Sequence, residues 1–305
     1  MRAIKVYNYI PEKKLEGKRV IALGFFDGVH LGHREIIRNA VEEAKKLSIP
    51  SAVFTFSSES KGIKDESRIY STENKLALIE ELGIDEAIVA DFGAVKNVSA
   101  SDFVTDILLG ELGCAIALSG EDFRFGKGAW GNTELLRELL AAKGAALICP
   151  DAVMQDGEKI SSSRIKKLLT LGKVKKAAEL LGAPYFVKSE VKRGLGLGKS
   201  FGFPTVNTEI KEGEISLISG VYKCKAYIDG KAYDALSNVG TCPTVSERKK
   251  HIETYVLGFS GDLYGDSITV NFLDFVRPEM KFESINQLIM QIKLDIINTF
   301  RSEDN

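Results

Sequence analysis

Residues 20–33 read VIALGFFDGVHLGH and carry the clearest structural signal in the chain. The apolar run VIAL is followed by three glycines and two histidines, after which apolar residues recur at helical spacing. This order predicts a buried strand, a tight loop and a helix, because glycine lets a backbone turn sharply and approach a ligand closely. In an open parallel sheet, ligands bind at the loop that follows such a strand. Two of the three histidines of the protein therefore stand at a predicted ligand-binding edge.

The alternation of short apolar runs with helical patterns continues to about residue 181. Further strands are predicted at residues 52–56, 86–90, 115–118 and 145–148, and helical patterns occupy residues 36–47, 75–82, 102–109 and 133–142. Such alternation is typical of a mainly parallel, doubly wound sheet with helices on both faces. We therefore predict a Rossmann-like α/β fold for the N-terminal half.

Beyond Pro184 the sequence changes to strand-like segments broken by turns, among them YFVKSEV, IETYVLGF and DSITVNFLDFV. Asp229-Gly230 predicts a tight hairpin, because these residues accept the positive φ angles of a primed turn. We predict an all-β domain here, an antiparallel β-barrel or a sandwich, closed by a terminal helix. The two predicted domains are residues 1–184 and residues 185–305. The apolar stripe of the terminal helix consists of Ile285, Leu288, Ile289, Ile292 and Ile296.

Composition limits the possible classes of function. A chain of 305 residues is long enough for two domains, each with its own core. Its 41 basic and 42 acidic residues leave a net charge of -1, which argues against a general nucleic-acid or membrane surface. We expect neither a signal peptide nor a membrane span, because no apolar run is long enough for either. Cysteines that are far apart and form no Cys-x-x-Cys pair indicate reduced thiols and a cytoplasmic protein. They are Cys114, Cys149, Cys224 and Cys242.

The segment of residues 24–33, which we call the histidine loop, offers chemistry that suits a phosphate. Free N–H groups at the start of the following helix and the N–H groups of two imidazoles would donate to phosphate oxygens. The spacing of His30 and His33 is not that of a zinc protease, which requires His-Glu-x-x-His, and the glycines do not have the spacing of a dinucleotide fingerprint. The structural alternative is a pair of solvent-facing histidines that cap a helix.

His30-Leu31-Gly32-His33 resembles the His-x-Gly-His signature of nucleotidylyltransferases. The longer FDGVHLGH is similar to the form found in bacterial bifunctional riboflavin kinase/FMN adenylyltransferases, the FAD synthetases. The resemblance covers nearly the whole chain, because six further motifs follow in the family's order. They are GEDFRFGKG at 120–128, ISSSRI at 160–165, GFPTVN at 202–207, NVGTCPT at 238–244, GDLYG at 261–265 and VRPEMKF at 276–282.

For the N-terminal half, the resemblance implies a nucleotidylyltransferase domain that transfers AMP from ATP to FMN and releases FAD and pyrophosphate. The phosphate of FMN is already a nucleophile at neutral pH, so alignment and charge neutralisation suffice. By resemblance, His30 and His33 contact the ATP phosphates, and the helix that begins at Ser162, Ser163 and Arg164 holds the leaving pyrophosphate. The other implied ATP-binding residues are Gly24, Phe26, Asp27, Gly28 and Gly32.

Asp122 and Phe123 follow the predicted strand at residues 115–118. The resemblance places both in the nucleotide or flavin pocket, and we expect them on its flavin side. For Phe123 and its neighbour Phe125 a place in the core is an equal alternative.

For the C-terminal half, the resemblance implies a riboflavin kinase, in which the ribityl 5'-hydroxyl attacks the γ-phosphate of ATP. PTVN resembles the family's Pro-Thr-Ala-Asn motif, so Thr205 and Asn207 are expected to supply oxygens to Mg²⁺. Glu253 matches the family's general base, its alternative being an outward strand residue, and Arg277 is expected on the flavin side. A glycine-rich flap is expected over the ATP phosphates and includes Gly194, Lys199, Gly202 and Pro204.

The sequence departs from the family pattern at several positions. Phe25 stands where many members have Asn, residues 54–64 read FTFSSESKGIK without the prolines of a Phe-x-Pro-x-Pro segment, and Tyr255 and Gly258 replace a usual His and Asp. We expect an enzyme that makes FMN and then FAD from riboflavin and ATP, acts as a monomer or weak homo-oligomer, and has no nucleic-acid or membrane partner. The alternatives are a riboflavin kinase with a weakened adenylyltransferase domain, a non-catalytic flavin-nucleotide sensor, and a nucleotidylyltransferase for another acceptor such as a pantetheine phosphate.

Overall fold

A computed structural model describes residues 3–60, 67–193, 201–211, 213–241 and 250–300. The chain divides into two compact units, Met1–Ser162 and Ser163–Asn305, each built on its own six-stranded sheet. Gly194 and Lys199 of the expected flap, and Cys242, lie outside the described residues.

The sheet of the first unit is entirely parallel, as the alternation of strands and helices predicts. Its strand order is β1-β4-β3-β2-β5-β6, so β2 lies in the middle between β3 and β5. The first strand was not among the predicted ones. It lies at the sheet edge, where three of its four residues are exposed and leave no apolar run to recognise. The strands are β1 (Lys5–Asn8), β2 (Arg19–Leu23), β3 (Ser51–Phe56), β4 (Glu86–Ala90), β5 (Cys114–Leu118) and β6 (Ala146–Ile148).

Helices cover both faces of this sheet, because successive side chains of a strand point to opposite faces. Val20 and Ala22 of β2 pack with apolar residues of α1 and α2, whereas Ile21 and Leu23 pack with those of the helices that follow β4. The helices of this unit are α1 (Leu31–Leu47), α2 (Thr72–Glu81), α3 (Phe92–Val95), α4 (Ala100–Asp102), which continues as a π-helical segment (Phe103–Glu111), and α5 (Thr133–Ala141). A short hairpin, β7 (Met154–Gln155) and β8 (Glu158–Lys159), precedes the helix that begins at Ser162.

The strand order creates a switch point beside β2. The chain passes from β2 through α1 to β3 on one side, and β5 later pairs with the other side of β2. The loops that leave the carboxyl ends of β2 and β5 therefore flank one crevice, which is where open parallel sheets bind ligands. The histidine loop and the segment of residues 119–125 are these two loops.

The second unit contains a curled antiparallel sheet of order β10-β13-β12-β11-β14-β9, which confirms the predicted all-β half. Its edges meet where the N–H of Lys192 donates to the carbonyl of Asn207 at 2.8 Å. The predicted hairpin is confirmed, with φ values of 49° at Asp229 and 75° at Gly230. The elements are α6 (Ser162–Thr170), which begins at the last residue of the first unit, α7 (Val174–Leu181), β9 (Tyr185–Glu190), β10 (Thr205–Glu209), β11 (Gly220–Ile228), β12 (Lys231–Thr241), β13 (Lys250–Val256), β14 (Ser267–Pro278) and α8 (Ile285–Phe300).

The terminal helix α8 differs from the helix that the apolar stripe predicts. Leu288, Ile289 and Ile292 face a cavity of the sheet, but Ile285 is 53% exposed. Asp295 is the one residue of α8 that the structure classes as buried. The helix therefore covers a cavity instead of completing a filled core.

Candidate active sites

The histidine loop is a compact turn with left-handed backbone at Phe26 (φ 54°), Gly28 (φ 84°) and Val29 (φ 43°). A positive φ is strained for a β-branched residue such as valine, so surrounding contacts must maintain it. Val29 is fully buried, its N–H donates to the Phe26 carbonyl at 3.1 Å, and its carbonyl accepts from Arg34 Nε at 3.0 Å. These contacts hold the loop in one shape and fix the direction in which α1 starts.

The two histidines form a stacked pair at the start of α1. Their ring centroids are 3.5 Å apart, and His30 Nδ1 accepts a hydrogen bond from the backbone N–H of His33 at 3.3 Å. An accepting Nδ1 leaves the proton of a neutral His30 on Nε2. His30 is only 4% exposed and His33 is half-buried, so the alternative prediction of solvent-facing rings is wrong, although His30 does cap α1.

Burial determines the charge of both imidazoles. It lowers the pKa of His30 to about 4 and holds the pKa of His33 well below its usual 6.5, with the neighbouring His30 and Lys75 acting in the same direction on His33. Both rings are therefore neutral at physiological pH. They can donate hydrogen bonds to phosphate oxygens, but they do not supply positive charge.

The turn of the ISSSRI motif reaches the histidine loop. Ser162 Oγ donates to the carbonyl of Asp27 at 2.8 Å, although 135 positions separate them in the chain. Ser162 is the first residue of α6, and Ser163 and Arg164 follow in its first turn. A helix N-terminus carries free N–H groups and a partial positive charge, which favour an anion.

Phe26 and Asp27 have side chains that serve the loop itself. Phe26 is 1% exposed and meets the His33 ring edge-on at 5.3 Å, and Asp27 Oδ1 accepts from the N–H of Ile69 at 2.8 Å. Gly24 lies beside the Phe26 ring and Gly32 beside the His30 ring, because a Cβ at either position would stand 3.0 to 3.3 Å from ring atoms.

Asp122 and Phe123 stand on the loop that follows β5. The carboxylate of Asp122 is exposed and pairs with Lys159 Nζ at 3.0 Å. Both of these charges influence the pKa of His30, which puts them on the same edge of the unit as the histidine loop. Phe123 is half-buried and stacks on buried Phe125 with a centroid separation of 5.8 Å. It therefore joins the core on one side and leaves part of its ring accessible.

Half-buried aromatic rings extend this edge past β3 and β4. Phe25 stacks on Phe56 at 6.4 Å, and Phe56 meets Phe92 edge-on at 5.5 Å. Phe25 and Phe56 belong to two of the segments that depart from the family pattern. The departures are therefore neighbours in space, which their separation in the sequence does not show.

A cavity of about 660 Å³ opens on the concave face of the second sheet and is walled on one side by α8. It brings together Thr205, Asn207, Glu253 and Arg277, the residues outside the flap that the kinase resemblance predicts. The described part of the flap contributes Phe201 and Phe203 to its rim, whereas Gly202 and Pro204, between and after them, are exposed.

The sheet register places the polar lining residues in one row. Asn207 of β10 lies opposite Glu253 of β13, which lies opposite Asn238 of β12. Thr205, two residues from Asn207, shares its face because side chains alternate along a strand. The exposed Glu253 carboxylate therefore stands between two amide side chains at the cavity wall.

This row suits a hard cation that leans on substrate phosphates. Thr205 and Asn207 offer oxygen atoms, the ligands that Mg²⁺ prefers, and the open cavity leaves room for waters and phosphate oxygens. Among the residues that the structure describes, no cluster of three His, Cys, Asp or Glu side chains could hold a metal ion alone. Any bound Mg²⁺ would thus depend on the nucleotide for most of its ligands.

Arg277 is fixed by α8. Its Nε lies 3.1 and 3.0 Å from the two carboxylate oxygens of Asp295, its Nη2 lies 2.8 Å from Oδ2, and its Nη1 donates to the Pro278 carbonyl at 3.0 Å. Gln291 also donates to Asp295, at 2.8 Å. Sequence reasoning missed Asp295 and Gln291. The available signal was a carboxylate within the apolar pattern of the terminal helix.

Comparison with known proteins decides the family. The FAD synthetase family model matches residues 12–164, and the riboflavin kinase family model matches residues 181–302. The chain is 34% identical to the bifunctional riboflavin kinase/FMN adenylyltransferase of Bacillus subtilis, over 93% of this chain and 92% of that protein. It is 30% identical to the protein of the same name from Escherichia coli K12, over 97% and 96% of the two chains. This chain belongs to the bifunctional riboflavin kinase/FMN adenylyltransferase family.

A solved structure has the same fold as this family member. The crystal structure described as a macrolide-efflux protein from Streptococcus pneumoniae superposes with a TM-score of 0.86, at 28% identity, over 98% of this chain and 99% of that one. That description applies to the streptococcal protein. Within the described ranges, no helix of the present riboflavin kinase/FMN adenylyltransferase family member has the length and apolarity to cross a bilayer.

Proposed function

We propose that this chain phosphorylates riboflavin with ATP to give FMN, and then transfers AMP from a second ATP to FMN to give FAD and pyrophosphate. The observation that carries the proposal is the grouping of distant residues into two different phosphate chemistries. His30, His33 and Ser162 come together at the histidine loop of the first unit, whereas Asn207 and Glu253 are register partners on a cavity of the second. Family membership supports both activities.

In the adenylyl transfer, an oxygen of the FMN phosphate attacks the α-phosphorus of ATP. The bond from that phosphorus to the oxygen bridging the α- and β-phosphates breaks, and pyrophosphate leaves with the electron pair. The neutral imidazoles of His30 and His33 donate to phosphate oxygens, and the N–H groups at the start of α6 hold the leaving group. No protein base is required, because the FMN phosphate is ionised at neutral pH.

In the kinase reaction, the 5'-hydroxyl of riboflavin attacks the γ-phosphorus of ATP and must lose its proton. The bond from that phosphorus to the oxygen bridging the β- and γ-phosphates breaks, and ADP leaves with the electron pair. Glu253 accepts this proton, because it is a carboxylate at the wall of the cavity between two amides. Thr205 and Asn207 would hold Mg²⁺, which when bound would neutralise charge on the nucleotide phosphates. The apolar side chains of α8 give the flavin ring an apolar wall, and Arg277 sets the position of that wall through Asp295.

The domain assignment follows these roles. We assign adenylyl transfer to residues 1–184 and riboflavin phosphorylation to residues 185–305. We also infer a cytoplasmic enzyme that acts as a monomer or weak homo-oligomer, whose partners are riboflavin, FMN and ATP and which does not bind nucleic acid. Asp122 and the accessible side of Phe123 are proposed to contact the flavin of FMN.

The decisive experiment supplies substrates separately and resolves the products. Purified protein is incubated with ATP and Mg²⁺ plus riboflavin, FMN or a pantetheine phosphate, and the flavins and released pyrophosphate are measured. We expect FMN and FAD from riboflavin, and FAD with an equal amount of pyrophosphate from FMN. Conversion that stops at FMN would leave only the kinase. Flavin binding without turnover would indicate a sensor, and pyrophosphate release with the pantetheine phosphate alone would indicate a different acceptor.

A further inference from the structure

Lys75 of α2 is a buried lysine at the carboxyl edge of the first sheet, with 1% of its surface exposed. Its ammonium donates to the carbonyl of Phe25 at 3.1 Å, to the carbonyl of Phe56 at 2.6 Å and to Thr55 Oγ1 at 3.2 Å. All three donors of the ammonium are therefore directed at groups of the protein.

These acceptors belong to the ends of two neighbouring strands. Phe25 is the second residue of the histidine loop, just after β2, whereas Thr55 and Phe56 are the last residues of β3. Thr55 Oγ1 also donates to the Phe25 carbonyl, at 2.9 Å. Lys75 thus connects the start of the histidine loop to the end of the adjacent strand β3.

The ring of Phe25 adds a second contact. Lys75 Nζ lies 4.5 Å from its centroid, and the guanidinium carbon of Arg68 lies 4.9 Å from the same centroid. Cations over an aromatic face attract its π electrons, and this attraction is stronger away from water. Phe25 is therefore held through both its carbonyl and its ring.

The charges around Lys75 connect it with the histidine pair. Asp27 and Glu59 favour its charged form, whereas Arg68 disfavours it. Lys75 in turn acts on His33, which also faces His30. The groups that act on His30 are Lys159 and Asp122.

We propose that Lys75 is a positioning residue for adenylyl transfer, which fixes the entry of the histidine loop at Phe25 and acts on His33 through its charge. The proposal rests on the adenylyl transfer proposed above and adds a residue to which no role has been given. A buried ammonium is costly because it leaves water, and an apolar side chain would fill the same space without that cost. Burial lowers the pKa of Lys75 to about 8, so the ammonium is largely kept at neutral pH.

The first test uses the unaltered protein. Only three histidines are present, so ¹⁵N signals of their rings can be assigned and followed with pH. We expect the His33 signal to shift with a midpoint near pH 8, where Lys75 loses its proton, although His33 itself is neutral there. His251, on the other sheet, should show no such step. A His33 signal that stays constant between pH 7 and 9 would overturn the electrostatic part of the proposal.

The second test compares two variants that both remove the charge of Lys75. Lys75→Met keeps the approximate length of the side chain but has no hydrogen-bond donor, whereas Lys75→Gln keeps hydrogen-bond donors. Because small displacements of reacting groups are expensive, Lys75→Met should lower the turnover of FAD formation from FMN by about 10- to 100-fold, with a smaller change in KM for ATP. Lys75→Gln should recover part of this turnover but not the pH 8 step of His33. Lys46→Met removes an exposed lysine of the same unit and should change neither quantity.

Riboflavin phosphorylation in the same samples separates the possible outcomes, because it belongs to the other unit. If folded Lys75→Met forms FAD at a rate within about twofold of the parent, the loss is far smaller than expected and the positioning role is overturned. If the parent protein itself made no FAD, the proposed function would fail, and the titration of His33 would still decide whether Lys75 acts on it. A Lys75→Met variant that unfolds leaves the titration of the parent as the deciding measurement.

Discussion

At the scale of single residues, the two proposed reactions differ in what happens to a proton. The phosphate of FMN is ionised before it reacts, and the residues gathered at the histidine loop are neutral donors. The hydroxyl of riboflavin has a pKa far above neutral, so its attack requires an acceptor within hydrogen-bond reach. Glu253 is the carboxylate that the sheet register places between Asn207 and Asn238.

Glu253→Gln keeps the size of the side chain and removes its ability to accept a proton. We expect the turnover of riboflavin phosphorylation to fall by about 10² to 10⁴-fold, with little change in ATP affinity. FAD formation from supplied FMN should continue at the parent rate and serves as the control in the same sample. If the turnover of riboflavin phosphorylation stays within about threefold of the parent, the effect is too small for loss of a general base. Glu253 would then be a structural strand residue.

The buried histidines should make the first unit sensitive to acid. When the pKa of a group is lower in the folded state than in the unfolded state, the unfolded state binds more protons at pH values between the two pKa values. The free energy of unfolding therefore falls as the pH falls through this range. For His30 the window runs from its usual 6.5 down to about 4. At pH 5 this one histidine should lower the free energy of unfolding by about 2 kcal/mol relative to neutral pH.

Urea unfolding followed through the amide signals of residues 20–23 would measure this loss between pH 7 and 5. His30→Gln should reduce the pH dependence, because glutamine binds no proton in this range. The matched control is His251→Gln, which removes the half-buried histidine near Glu209 in the second unit and should leave the dependence unchanged. An equal slope in the parent and in His30→Gln would contradict the buried neutral imidazole.

At the scale of elements, the strands of the second sheet sort residues by face. Asn207 of β10 faces the cavity, and the next residue, Thr208, is buried on the opposite face. Among the described residues, Thr208 Oγ1 has no hydrogen-bond partner. Adjacent positions of one strand therefore provide a site variant and its control.

Asn207→Ala should lower kinase turnover and move its magnesium dependence to higher concentration, because a side-chain oxygen for the cation is lost. The strand pairing should persist, since the carbonyl of Asn207 that accepts from Lys192 is unchanged. Thr208→Val keeps the shape of the side chain and should leave the magnesium dependence alone. It should also stabilise the unit by roughly 1 kcal/mol, because an unpaired buried hydroxyl is removed. Equal magnesium dependence in Asn207→Ala and the parent would remove Asn207 from the metal assignment.

At the scale of the whole molecule, two compact units with separate sheets imply separate failure. The histidine pair and Ser162 lie in the first unit, and the row of Asn207 and Glu253 lies in the second. FMN is the product of one proposed reaction and the substrate of the other. FMN that leaves the kinase cavity can therefore be used by another copy of the chain.

The double variant His30→Ala with His33→Ala should abolish FAD formation and leave conversion of riboflavin to FMN nearly intact. A mixture of this protein with Glu253→Gln should make FAD from riboflavin and ATP, because each variant retains the reaction that the other lacks. Product analysis of the three samples checks both statements, and amide spectra verify that the first unit is folded. Loss of both activities in the folded double variant would contradict the two-site assignment.

Local patterns in the sequence determined most of the architecture. Period-2 and helical spacing report burial within a few residues, so they predicted the α/β alternation, the β-rich half and the terminal helix. Asp229-Gly230 predicted its hairpin because the turn depends on the φ angles of two residues. The edge strand β1 escaped this reasoning, since an exposed strand has no apolar run. Lys75 escaped it too, because its surroundings come from Phe25, Thr55 and Phe56.

Tertiary structure alone decided how the motifs combine. Ser162 reaches Asp27, and Asn207 and Asn238 flank Glu253, only because the sheets bring distant segments into contact. The same holds for charge. The sequence shows two histidines, but their neutrality follows mainly from burial, to which Lys75 adds at His33. Desolvation depends on every segment that packs around a group. Residue types and spacing are local properties, whereas burial and register belong to the folded chain.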